Sequence, residues 1–129
     1  MTSQADGTAD IRALIVDNNR ELIDSLMIRL SQHGFQVDVY NLPSDVLGEY
    51  DVKACSLAFL GVRLPQMTGF ELARELWRAN PGLKVCFLSE FEINEQEARV
   101  LMPSLKSHCF LTKGLAFEDL SRRIDSLVA

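Results

Sequence analysis

Cysteine, positive charge and long apolar runs are all in short supply in this sequence. Three cysteines, Cys55, Cys86 and Cys109, are too few and too unevenly spaced for a zinc cluster or a disulfide framework. Each falls in or beside a predicted strand, and a buried free thiol is the expectation for all three. No apolar run approaches the roughly 20 residues that a membrane-spanning helix requires, so no membrane partner is expected. Lysine and arginine total 13 against 18 aspartates and glutamates, a net charge of −5. That balance has the wrong sign for a nucleic-acid surface. The first ten residues, Met1 to Asp10, lack the basic start and apolar centre of an export signal. They are expected to form a disordered tail, followed by one domain over residues 11–129 in a cytoplasmic chain. No internal repeat or low-complexity tract interrupts it.

What the sequence does contain is a regular alternation of short apolar runs and longer amphipathic segments. Ile11–Val16 reads as a strand. Asn18 or Asn19 can cap the helix after it, in which Leu22, Ile23, Leu26, Met27 and Leu30 recur at helical spacing until Gly34. Phe35–Tyr40 alternates like a half-buried edge strand, and Pro43–Tyr50 reads as a short helix. Residues 55–60 are continuously apolar, as in a strand covered on both faces. Thr68 and Glu71 have capping-box spacing and open a helix to about Ala79, which Asn80-Pro81-Gly82 stops. Leu83–Ser89 is a fourth strand. Asn94 and Glu97 repeat the capping spacing and open a short helix that Pro103 closes or kinks. Ser107–Thr112 is a fifth strand and Phe117–Val128 a last helix. Five βα units in succession predict an α/β fold: a doubly wound parallel sheet with helices on both faces.

In such a sheet the functional site lies at the carboxyl ends of the strands. Asp17, Asn18 and Asn19 follow the first strand, Gly61 and Arg63 the third, Ser89 and Glu90 the fourth, and Lys113 and Gly114 the fifth. Ser89 has no His or Asp placed to activate it, so hydrolysis is not expected. His33 and His108 sit at a helix end and a strand start and read as incidental. The acidic stretch Glu90, Glu92, Glu95 and Glu97 reads as a solvated face, with a partner surface as the alternative.

The segment Gly61-Val62-Arg63-Leu64-Pro65-Gln66-Met67-Thr68-Gly69-Phe70 resembles the phosphoacceptor loop of response-regulator receiver domains, and the resemblance extends over residues 11–128. It implies a flavodoxin-like (βα)5 sheet of strand order 2-1-3-4-5. The family pattern carries an acidic pair after the first strand, which Asp17 matches and Asn18 breaks. The acceptor Asp aligns with Gly61. The switch Ser or Thr aligns with Ser89, the small residue after it with Glu90, the Lys with Lys113, the Pro after that with Gly114, and the switch aromatic with Phe110. A glycine can neither attack a phosphoryl donor nor ligate Mg²⁺. Asp17 alone remains as an ionised metal ligand, so Mg²⁺ is expected to bind weakly or not at all, and no other cofactor is implied.

The resemblance therefore implies a degenerate, non-enzymatic receiver: a stand-alone signalling module of a two-component system or phosphorelay that works through protein contacts without phosphorylation. The alternative is a phospho-accepting receiver with an altered or lost acceptor. Implied partners are a histidine kinase, another regulator or an output protein, and a homodimer through the last two helices stays open. A ligand-binding flavodoxin-like protein ranks below both, because the first loop lacks a phosphate cradle. Three local expectations follow. Lys113 should turn inward to pair with Asp17, Glu90 or both. Arg63 should reach Asp17 through the emptied pocket. The Lys113–Gly114 peptide should be trans, since cis before a residue other than proline is costly.

Overall fold

A computed structural model describes residues 11–90 and 109–128. The expected tail over residues 1–10, the helix opened by Asn94, His108 and the acidic residues Glu92, Glu95 and Glu97 lie outside them. The described residues form a five-stranded parallel sheet in the order β2-β1-β3-β4-β5. Its strands are β1 (Arg12–Val16), β2 (Gln36–Tyr40), β3 (Leu57–Gly61), β4 (Lys84–Ser89) and β5 (Cys109–Thr112). The helices are α1 (Arg20–Gln32), α2 (Pro43–Glu49), α3 (Gly69–Ala79) and α4 (Phe117–Val128). A short 3-10 turn at Val52–Ala54, absent from the sequence reading, leads into β3.

The local signals act as read. Asn19 caps α1 by accepting from the Leu22 N–H at 3.1 Å, so of the two candidates the cap falls to Asn19 and not to Asn18. Thr68 and Glu71 form a reciprocal capping box at the start of α3.

Alternation along the central strands divides the core in two. Leu14, Val16, Ala58, Leu60, Val85 and Phe87 point to one face and meet Val46 of α2 and Leu72, Ala73 and Leu76 of α3. Ala13, Ile15, Leu57, Phe59, Cys86 and Leu88 point to the other and meet Leu22, Ile23, Leu26 and Leu30 of α1 with Leu120 and Ile124 of α4. Because both faces are covered, β1 from Ala13 onward and β3 need to be apolar, which is what makes their runs continuous. The Trp77 indole N–H donates to the Leu83 carbonyl at 2.8 Å and ties the end of α3 to the entry of β4.

The two edges are fastened differently. On the β2 side, Asp38 accepts from Arg12 Nε and Nη2 at 3.1 and 2.8 Å and from the Tyr50 hydroxyl at 2.9 Å. Burial, together with that carboxylate, pushes the Tyr50 phenol well above its usual range. On the β5 side, Cys86 and Cys109 are joined by a disulfide. This corrects the expectation of three free thiols. The parallel register sets Cys86 directly opposite Cys109, with Cα atoms 4.5 Å apart, so the two side chains leave the same face of neighbouring strands. Cys55 alone remains a free, buried thiol, donating to the Leu57 carbonyl at 3.2 Å, and burial pushes its pKa above the ordinary thiol range.

Helices α1 and α4 are linked at their ends. Arg29 grips Asp125 with Nε and Nη2 at 2.9 and 2.6 Å, and His33 Nε2 lies 2.7 Å from the same carboxylate. Hydrogen bonds from Arg29 and then His33 hold the Asp125 carboxyl down at about 2.

Candidate functional site

The carboxyl ends of β1, β3, β4 and β5 converge on one small polar spot. Asp17 follows β1 directly and is 1% exposed. Its Oδ1 accepts from the Asn18 backbone N–H at 2.8 Å and from the Lys113 ammonium at 3.1 Å. Oδ2 lies the same 3.1 Å from that ammonium, close enough for charge attraction but without a hydrogen bond of its own. Lys113 reaches inward from the turn after β5 with its side chain 11% exposed. Its backbone N–H donates to the Ser89 carbonyl at 2.7 Å, which fixes the root of the turn against the end of β4. A buried carboxylate facing a single ammonium is stable only while both are present.

Gly61 is the last residue of β3, paired with Leu88, and not the first residue of the loop. A Cβ built on it would meet Leu64 Cδ2 at 2.9 Å and Asp17 Oδ1 at 3.2 Å. Leu64 and Asp17 therefore occupy the space into which a side chain at position 61 would grow. Gly69, the first residue of α3, is held to the same loop by its N–H on the Val62 carbonyl at 2.9 Å. A Cβ there would collide with the Gly61 carbonyl oxygen, so only glycine allows this approach of helix to strand end. Between the two, Gln66 adopts φ +76°, a left-handed conformation that costs a non-glycine residue of order 1 kcal/mol. Its side-chain oxygen accepts from the Ser44 N–H of α2 at 3.0 Å.

The Lys113–Gly114 peptide is trans, and Gly114 takes φ +97°. Phe110 on β5 is half-buried and stacks on Phe87, centroids 5.6 Å apart, while Phe87 in turn packs on Phe70 of α3 at 4.6 Å. Ser89 is buried at the end of β4.

Residues 13–125 match the response regulator receiver domain. The chain belongs to that family. Among curated relatives this receiver is similar to the transcriptional regulatory protein CreB of Escherichia coli, at 28% identity over 88% of the chain and 49% of the relative. It is also similar to CusR of the same species, at 28% over 92% of the chain and 51% of the relative. The chain thus spans about half the length of these relatives. In fold it is similar to the non-phosphorylated HemR receiver domain of Leptospira biflexa, with TM-score 0.77, 24% identity and coverage of 92% and 94% of the two chains. A receiver-like protein from Methanospirillum hungatei superposes with TM-score 0.72 at 23% identity, over 91% and 92% of the two chains.

Against the sequence reading, the receiver brings Asp17, Gly61, Ser89 and Lys113 to one place and leaves others out. Asn18 has an exposed side chain and enters only through its backbone N–H. Glu90 is exposed and is not the partner of Lys113. Arg63 is also exposed, which corrects the expectation that it would contact Asp17. Its backbone forms an antiparallel bridge with Thr68 that directs it outward, and Leu64 fills the space it would have entered. Leu64 and the Cys86–Cys109 pair were not foreseen. The cysteines had a readable signal: each stands three residues before its strand's end, Ser89 or Thr112, and β4 and β5 are neighbours.

Magnesium requires several hard oxygen ligands in near-octahedral order. Here the strand ends present one buried carboxylate already faced by an ammonium, no side chain at position 61 and an outward Asn18. This donor set does not fit the ion. Among the described residues no cluster of three His, Cys, Asp or Glu could hold a metal, and no helix is long and apolar enough to cross a membrane.

Proposed function

We propose that this receiver signals through protein contacts that do not depend on phosphorylation at its strand-end site. One observation carries the reading: the residue where the family's acceptor stands is Gly61, and among the described residues the only buried carboxylate beside it is held by Lys113. Phosphoryl transfer needs a nucleophile and charge neutralisation at the moving group. The first is missing, and the ammonium that would supply the second already faces Asp17. Mg²⁺ binds weakly or not at all for the same reason, and the chain has no enzymatic activity of its own.

The partners in this reading are a histidine kinase, another regulator or an output protein, in the cytoplasm. One solved neighbour, the Thermotoga maritima regulator TrrA, was captured in complex with the histidine kinase ThkA, which is the kind of contact proposed. The curated relatives are transcriptional regulatory proteins. With a net charge of −5, an effect of this chain on transcription would pass through another domain or chain. The contact surface proposed is the side formed by β5 and α4, where Phe110 and the Lys113 turn are exposed in part.

Incubation with acetyl phosphate and Mg²⁺, followed by intact-mass measurement, tests the proposal. No adduct is expected, and a hydrolysable gain of one phosphoryl group would overturn it. Gly61→Asp alone is expected to stay inert, because the new carboxylate would press on Leu64 and on Asp17. Gly61→Asp with Asn18→Asp should accept better, since the pair then offers the metal a second and third carboxylate.

A further inference from the structure

The disulfide lies in the two strands that carry the site. Three residues beyond Cys86 is Ser89, and four beyond Cys109 is Lys113. The ladder Cys86↔Cys109, Phe87↔Phe110, Leu88↔Leu111, Ser89↔Thr112 runs from the sulfurs straight to the strand ends. Among the described residues β5 is an edge strand, bonded to the sheet on one side only. Its hold on β4 therefore decides where the Lys113 turn sits, and a covalent link at the start of the ladder tightens that hold.

The two cysteines are not equally exposed. Cys86 is 0% exposed, whereas Cys109, at the start of the edge strand, is 8% exposed. Local opening of an edge strand admits a small thiol reagent to the outer sulfur long before it admits one to the inner. A thiol is itself a small apolar group, so the niche against Leu120 and Ile124 of α4 tolerates the reduced pair as well as the oxidised one. Cys55 is remote from this chemistry: it is buried at the entry of β3, and its raised pKa keeps it from acting as a competing thiolate.

We propose that Cys86 and Cys109 form a reversible dithiol–disulfide couple that sets how firmly β5 and the Lys113 turn are held to β4. The co-reactant is a low-molecular-weight disulfide of the glutathione class. The Cys109 thiolate attacks one sulfur of the oxidised reagent, forming a mixed disulfide and releasing one thiol. The Cys86 thiolate then attacks the Cys109 sulfur and releases the second. Two electrons pass from the protein thiols to the reagent, and the two protons end on the two released thiols. Reduction reverses each step. Building on the phosphorylation-independent reading, this gives a receiver without an acceptor another input at the same strand ends.

The test uses the whole wild-type chain in buffers of graded reduced-to-oxidised glutathione ratio. Acid quench, alkylation of free thiols under denaturing conditions and intact-mass measurement count the thiols. A single two-electron transition between one and three alkylated cysteines is expected within the span of those buffers. Backbone amide exchange in Cys109–Thr112 should be at least tenfold slower in the oxidised form. A protein that stays wholly oxidised or wholly reduced across the series would overturn the proposal, as would equal exchange in the two forms. Cys55→Ala should leave the transition intact, whereas Cys109→Ala should abolish it. If Cys109→Ala proves too unstable to purify, the wild-type titration decides alone. Uptake of phosphoryl groups plays no part in these readouts, so failure here and failure of the phosphorylation-independent reading remain separable.

Discussion

The two edges of the sheet do the same job with opposite chemistry. At β2, Asp38 gathers Arg12 and Tyr50 in a network that solvent still reaches, its side chain 20% exposed and that of Arg12 35%. At β5, the fastening is a disulfide among apolar side chains and a carboxylate–ammonium pair with hardly any access to water. Exposed polar networks lose little when one member goes, because water replaces it. Buried pairs lose much, because the survivor is left without a partner. The contrast teaches that the strand ends at β4 and β5 are where this chain concentrates its sensitivity to single changes.

The largest effect should come from Lys113→Met, which leaves Asp17 buried and uncompensated. About 4 kcal/mol of unfolding free energy should be lost in urea titration. Adding Asp17→Asn should recover most of it, and failure to recover would show that Lys113 acts through something other than that carboxylate. Next comes reduction of the Cys86–Cys109 bond, which closes a sequence separation of 23 residues. Chain-entropy reasoning gives a loss of about 3 kcal/mol, read from the same titration with and without dithiothreitol. At the other edge, Tyr50→Phe removes one hydrogen bond to Asp38 and should cost about 1 kcal/mol. A loss there as large as at β5 would erase the contrast between the edges.

The smallest effect concerns Asp125, at the joint between α1 and α4. Its carboxyl titrates at about 2, below the ordinary 3.8, because Arg29 and His33 favour the ionised form. A lowered folded value means the contribution is complete above about pH 4 and fades as pH falls through about 2. Thermal melts of Asp125→Asn should therefore converge with wild type at the acid end of that window and lie below it above pH 4. Parallel curves would show that the Arg29 contact is immaterial to folding.

The parallel sheet was legible because it follows from the βα alternation, its strand order because of the resemblance to receiver domains, and the helix caps at Asn19 and Thr68 because they depend on neighbours three residues apart. The inward turn of Lys113 toward Asp17 was legible too, since a mostly apolar strand ending in a lysine must find a counter-charge. Arg63 was misplaced because sequence alone does not say which way a loop residue faces; that depended on its bridge to Thr68 and on Leu64. The disulfide was missed because cysteine count was weighed without laying β4 against β5 in register.

Trp77 is the sole tryptophan, and its indole is bonded to the carbonyl that precedes β4. The strand rises about 3.3 Å per residue, so Ser89, six residues beyond that carbonyl, lies about 20 Å away along β4. The chain thus carries its one tryptophan anchored at the end of the sheet remote from Asp17 and Gly61. Its emission should follow global unfolding faithfully while staying nearly silent to events at the strand ends. A fluorescence change on adding a partner would therefore report an event at the Trp77 end of the sheet, where Trp77 shares a surface pocket with Ser126 and Leu127 of α4, and not one confined to the strand ends.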